Sequence, residues 1–142
     1  MPTGPAARIL DNVVHPLPPV LTPGPGALTV LIGFLPAWRA VPTGAGAAIQ
    51  AANQIATTAI TAYAAEQALK TSLLASMSSM IMGASGGADI HACVTPLPVP
   101  PHGPGVVIDG SATVQTMFLP QSRMGDTIIE AVGPPNKIMK GE

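Results

Sequence analysis

TVLIGFLPAWR at 29–39 and TVQTMFLPQSR at 113–123 align without a gap, with Thr, Val, Phe, Leu, Pro and Arg recurring at the same positions. Self-similarity of this kind means that one supersecondary unit is used more than once. A partial third copy, PAARILD at 5–11, stands near the start: Pro5, Arg8 and Asp11 match Pro120, Arg123 and Asp126. The middle copy has Pro36 and Arg39, but its Asp is displaced to Asp89, after an insertion of about fifty residues.

Each copy has the grammar of a strand followed by a corner. ALTVLIG (27–33) and GVVIDGSATV (105–114) are short, β-branched and bounded by Gly, which favours strands. In Pro-x-x-Arg the Pro fixes φ, while the Arg fork can cap carbonyls or pair with the following Asp. The sets Pro5, Arg8, Asp11; Pro36, Arg39, Asp89; and Pro120, Arg123, Asp126 therefore read as brackets for three similar corners.

The inserted segment, 43–86, has a different composition. It has no Pro, is rich in Ala, Leu, Met and Gln, and sets Glu66 and Lys70 four apart, as on one helical face. Glycines bound it at both ends, and helix is expected over 47–82, as one long helix or a broken pair. Ile49, Ala52, Ala56, Ile60, Tyr63, Leu69, Leu73, Met77 and Met80 make an apolar stripe that could pack on the β body or on a partner. The run before Glu66 is long enough to span a bilayer but is diluted by Gln, Asn and Thr; the run after Lys70 is short of a span, so composition weighs against a membrane helix. Because Asp89 resumes an otherwise complete frame, removing 43–85 is expected to leave a folded β body.

The 142 residues fit a single domain, 1–142. A net charge of −1, with 9% charged residues and the six Lys and Arg scattered, leaves no footprint for a nucleic acid or an anionic membrane. Seventeen Pro and 15 Gly beside 47% hydrophobic residues describe a turn-rich chain that still has apolar surface to bury. A lone Cys forms no internal disulfide, and MPTGPAARILDN lacks the basic and apolar regions of a secretory signal, so synthesis in the cytoplasm is expected.

DIHACVTPLPVPPH at 89–102 holds the only Cys and two of the three His, in a run whose prolines exclude a helix. On an extended chain His91 and Cys93 point to the same side. Proline-stiffened loops can bring His102 and, from NVVHPLPP (12–19), His15 to the same place at low entropic cost. Three His and one Cys are a complete tetrahedral set for structural Zn²⁺, although each alone is more often an ordinary core residue, and spacing by itself leaves the two readings open.

The repeat resembles the PAAR-repeat proteins, the sharpened tips of type VI secretion and related contractile injection systems. The tetrapeptide PAAR stands at 5–8, and TVLIGFLPAWR, DIHACVTPLPVPPHGPGVVIDGSATV, RMGD and VGPPNKIMKG look like the successive repeat elements in order, covering nearly everything outside 43–86. The resemblance implies a mainly β fold, a small cone of β-hairpins with pseudo-threefold repeats, here with an inserted α-helical segment. It implies a Zn²⁺ near the vertex held by His15, His91, Cys93 and His102. It also implies a partner, the end of a trimeric β-helical (VgrG-like) spike, at one tip per trimer. Strand edges at 28–32, 106–108 and 113–116 are expected to pair with that spike. Two departures stand out: many members continue a TVLIGG-like strand after the last element, and the second corner carries the insertion in place of a tight Arg-x-x-Asp link.

Three functions follow from different classes. A non-enzymatic tip would cap exposed strand ends of the spike and touch a target membrane only transiently, on a particle that carries it out of the bacterial cytoplasm where it is made. An adaptor would use the helical insertion to dock effector cargo or contact lipid. A zinc hydrolase would need an open metal position and a nearby acid or base; four protein ligands leave no such position, Asp11 and Asp89 are engaged at corners, and Glu130 and Glu142 belong to no recognisable constellation. The expectation is therefore a protein that is not an enzyme.

Overall fold

The computed structural model describes residues 4–14, 20–62, 67–96, 101–131 and 135–142, the side chains at 23, 60–62, 67–71, 73, 93–96 and 101–102 excepted. Its framework is an antiparallel sheet in the order β1 (Pro23–Gly24), β4 (Ile90–Pro96), β5 (Pro101–Val107), β8 (Thr127–Glu130) and β9 (Asn136–Lys137). Between β1 and β4 lie β2 (Ala27–Ile32), β3 (Leu35–Ala37) and the helices α1 (Ala45–Ala62) and α2 (Gln67–Ala84); β6 (Gln115–Thr116) and β7 (Leu119–Pro120) precede β8. Bridges from Ile138 to Val13 and from Asn12 to Val20, with the bond from Ala92 N to Thr22 O, carry the pairing from β9 back to β4. Among the described residues these contacts link the two ends of the sheet.

The two faces of the sheet bury two clusters. Val106 pairs with Ile129, and both face the helices, where Ile49, Ala56, Met77 and Ile81 complete one core. Val107 pairs with Ile128, and both face the other way, onto Ala7, Val13, Leu21, Trp38, Ala40 and Ile138. This is the period-two alternation of a strand covered on both sides.

The insertion is a broken pair of helices rather than one long helix. Ile49, Ala56 and Met77 of the expected stripe are buried, and Ala52 and Met80 pack partly buried against them. Tyr63 and the side chains of Ile60, Leu69 and Leu73 lie outside the described residues. Among the described residues no helix is long and apolar enough to cross a membrane.

The helices share a core with Val106, Leu119, Ile129 and Ala131. One expectation changes. Residues 106–108 offer no edge to a partner: Val106 and Val107 are fully buried and pair with β8, the Val107 carbonyl accepts from Val41 N, and Ile108 N donates to Thr127 O.

β2–β3 and β6–β7 are separate two-stranded hairpins, with Ile32 opposite Leu35 and Thr116 opposite Leu119. Each closes through two residues at positive φ, Gly33 and Phe34 (54° and 70°) and Met117 and Phe118 (48° and 68°). Positive φ at both central positions is the type I′ geometry that matches strand twist. Asn and Gly normally supply it; here only Gly33 does, and the second central positions are taken by Phe34 and Phe118, which stand 93% and 94% exposed.

Candidate functional site

The corner residues meet in a cycle. Counting from each Arg, the residue two before it bridges to the Arg of another corner: Arg8 to Ala37, Arg39 to Gln121, and Arg123 to Ala6. The residues just before the Arg close a ring of backbone hydrogen bonds, from Trp38 N to Ala7 O (2.9 Å), Ala7 N to Ser122 O (2.8 Å) and Ser122 N to Trp38 O (3.0 Å). The carbonyls of Pro36, Pro120 and Pro5 accept in the opposite rotation from Ile9 N, Ala40 N and Met124 N, at 2.9, 2.8 and 2.9 Å. Each link repeats with the same offset.

Each Arg grips its Asp identically. The backbone N–H of Arg8, Arg39 and Arg123 donates to Oδ2 of Asp11, Asp89 and Asp126, each at 2.8 Å. Nε donates to the same oxygen at 3.2, 3.0 and 3.3 Å, and Nη2 to Oδ1 at 3.0, 2.9 and 3.1 Å. This is the bidentate, charge-assisted fork that a planar guanidinium forms with a carboxylate. The hydrogen bond to Asp11 raises the pKa of Arg8, and the one to Asp89 raises that of Arg39. Asp126 moves the other way from an ordinary ion pair: burial pushes its carboxyl above the usual range against the hydrogen bond from Arg123. Glu142 adds an ion pair to Arg8 Nη1 at 2.8 Å.

The expected metal ligands are only partly in view. His15 lies outside the described residues, and so do the side chains of Cys93 and His102. His91 is 1% exposed on β4, and the register pairs it with Gly105 and Cys93 with Gly103. His102 adjoins Gly103, whose φ of 83° interrupts the strand's two-residue rhythm, so regular alternation does not hold through that point. Val14, next to His15, is anchored by its N–H to Lys137 O (3.1 Å) and to Asn136 Oδ1 (3.0 Å). Among the described residues no three His, Cys, Asp or Glu form a metal-binding group. Imidazole and thiolate are donors that zinc prefers, while the glycines opposite His91 and Cys93 are closely packed: a Cβ on Gly105 would meet Glu130 Cγ at 2.9 Å, and one on Gly103 would meet Leu74 Cδ1 at 2.8 Å.

Two buried polar residues stand at this end, Glu130, which the sequence reading set aside as outside any constellation, and Asn136, which it passed over. Glu130, 1% exposed, sits in the row of His91, paired with Gly105. Asn136, 5% exposed, donates from Nδ2 to Glu130 Oε1 at 3.3 Å. A usable signal was present in TIIE (127–130), where alternation puts Glu130 on the face of buried Ile128. No family model, curated protein or solved structure matches the chain.

Proposed function

We propose that this chain is the tip of a contractile injection spike, a PAAR-like protein that caps a trimeric β-helical (VgrG-like) spike, one tip per trimer, and sharpens it for piercing a target membrane. The observation that carries the reading is the closed cycle of backbone bonds through Ala7, Trp38 and Ser122. A spike end built from three identical subunits offers three identical edges, and one chain with a threefold internal cycle can meet all of them. The cycle is the basis for reading the fold as a small cone with pseudo-threefold repeats, its hairpins rising from the Arg–Asp corners.

The surface supports the same partner. Among the described residues, the four non-glycine residues at positive φ, Leu10, Phe34, Met117 and Phe118, are all large, apolar and between 41% and 94% exposed. Strained backbone that holds apolar side chains out to solvent is a mark of contact sites. Near the vertex, Zn²⁺ on His15, His91, Cys93 and His102 would fix strands where a narrowing cone has little room for a core. Those four ligands fill a tetrahedron and leave no position for a catalytic water, so the role is mechanical. The chain would be made in the bacterial cytoplasm and leave on the particle.

Mass measurement of the complex with a trimeric spike protein tests this. One tip per three spike subunits is the expected result; three tips per trimer, or no complex at micromolar concentrations, overturns it. A second reading, an adaptor for effector cargo, draws on the helical pair, where Ile55 (73%) and Met82 (56%) are exposed. Cargo retention lost in Ile55→Lys with spike binding unchanged would favour it.

A further inference from the structure

The ring of backbone bonds through Ala7, Trp38 and Ser122 surrounds a polar centre. Each of its three carbonyls accepts from one ring N–H and keeps a second lone pair. Gln121 Nε2 donates into all three, at 3.1 Å to Ala7 O, 3.2 Å to Trp38 O and 2.9 Å to Ser122 O. A single nitrogen nearly equidistant from three carbonyls of one cycle lies close to the axis of that cycle. The other end of the carboxamide is held too, because Gln121 Oε1 accepts from Thr116 Oγ1 on β6. Only the donor end of a carboxamide can face three carbonyl oxygens, which fixes its orientation. Gln121 and Thr116 are 4% and 6% exposed, so these bonds are shielded from water.

Within the repeat this pair is an exception. The residue two before each Arg is Ala6, Ala37 or Gln121, and the residue seven before Arg39 and Arg123 is Ile32 or Thr116. Ile32 and Thr116 sit alike in their hairpins, opposite Leu35 and Leu119. Polar side chains fill both positions in the third copy alone, and one axis has room for one donor. The two hairpins are therefore unequal, although Phe34 and Phe118 are equally exposed on them. β6–β7 is tied to the ring through Thr116 and Gln121. The matching side chains of β2–β3 are apolar, and the contact that reaches its tip, from Arg8 Nη1 to Ile32 O, is 3.5 Å long from a nitrogen already paired with Glu142 at 2.8 Å.

We propose that the three ring carbonyls form a collar that binds an N–H donor on the axis, that Gln121 is its built-in ligand, and that Gln121 with Thr116 is a strut holding β6–β7 rigid while β2–β3 stays compliant. A partner that seats both Phe34 and Phe118 then meets one fixed anchor and one adjustable anchor. The inference stands on these hydrogen bonds and needs neither the spike reading nor the zinc reading.

The test uses the whole chain. Amide hydrogen exchange is followed at 115–119 and at the matching positions 31–35 in wild type and Thr116→Val, and denaturation midpoints are measured for wild type, Gln121→Met and Gln121→Glu. In wild type 115–119 should exchange more slowly than 31–35. Thr116→Val should speed exchange at 115–119 by about tenfold, the loss of roughly one hydrogen bond, and leave 31–35 unchanged. Gln121→Met has no donor, and Gln121→Glu at neutral pH turns a carboxylate toward three carbonyls, so both midpoints should fall and that of Gln121→Glu should fall further. Equal exchange in the two wild-type hairpins, or no selective change in Thr116→Val, overturns the strut; Gln121→Glu at least as stable as Gln121→Met overturns the collar. Should neither Gln121 variant fold, exchange in wild type and Thr116→Val decides the proposal by the same criteria.

Discussion

The second and third corners are chemically the same and topologically opposite. Arg123 and Asp126 are three residues apart; Arg39 and Asp89 are 50 apart, with two helices between them. Yet the matching bond lengths differ by at most 0.3 Å: 2.8 and 2.8, 3.3 and 3.0, and 3.1 and 2.9 Å. What the fold requires is a carboxylate in the guanidinium fork, and the chain may take any route to supply it. The helices fit because their ends meet: a Cβ on Gly86 would lie 2.6 Å from Pro42 Cγ. Yet the long route is not a passive detour, since its apolar stripe covers the face of the sheet that carries Val106 and Ile129.

Deleting 43–85 with a short Gly linker is the severest test of that contrast. The ends are close enough for Arg39 and Asp89 to pair, but Val106 and Ile129 lose their cover. At about 1.5–3 kcal/mol per exposed side chain the cost is roughly 3–6 kcal/mol, a large part of the ~5–15 kcal/mol that holds a domain together. The expected product is a marginal, aggregation-prone protein, seen as a much lower denaturation midpoint or as loss from the soluble fraction. A deletion variant as stable as the parent would make the insertion an appendage and the second corner self-sufficient.

The carboxylates themselves sharpen the comparison at the next scale. Asp89 is fully buried and also accepts from Gly26 N at 2.9 Å, so Asp89→Ala strands the Arg39 guanidinium and should cost about 3–5 kcal/mol. Asp126 differs in its pH response. Burial holds its folded pKa above the ordinary 3.8, so folding favours its neutral form. The stability from that preference is fully present below the unfolded value and is lost as pH rises through the folded one. The stability advantage of wild type over Asp126→Asn should therefore widen on acidification through the carboxylate range. Denaturation at pH 7 and at successively lower pH measures it; an advantage that shrinks with acid would mean that the pairing with Arg123 outweighs burial.

The corners were legible in the sequence because their chemistry is local and repeated: Pro fixes φ, Arg supplies the fork, and Asp89 could be assigned to Arg39 by counting copies. The helical character of the insertion was legible from composition, but not whether it forms one helix or two. Its docking was not legible either, since the apolar stripe on the helices and the double burial of 106–107 had to be matched across the chain. Glu130 was set aside and Asn136 passed over for a related reason. The row that Glu130 shares with His91 and the tether from Asn136 to Val14 are properties of register, and register is set by pairings between distant strands. The free strand edge expected at 106–108 failed on the same ground, because a short continuous apolar run does not say how many neighbours it has.

The smallest effect separates the corners most finely, at the residue before each Asp. Leu10 takes φ 71° there and Gly125 φ 92°, whereas Ala88, which ends the long route into Asp89, is not among the residues at positive φ. The tight Arg-x-x-Asp turn thus demands a left-handed residue, and the interrupted corner does not. A Cβ at Gly125 would meet nothing within 4 Å, so Gly125→Ala should cost only the backbone strain, about 1–2 kcal/mol. Leu10→Gly should exceed Leu10→Ala in stability by less than that, since both lose the half-exposed side chain beyond Cβ and the relief of strain is offset by up to about 1 kcal/mol of added freedom in the unfolded chain. Ala88→Gly should gain nothing and lose up to about 1 kcal/mol through the added freedom of the unfolded chain. Chemical denaturation of the four variants gives the three differences. If Ala88→Gly stabilises as Leu10→Gly does relative to Leu10→Ala, the long route ends in the same turn as the short ones, and the second corner differs from the others only in where its Asp comes from.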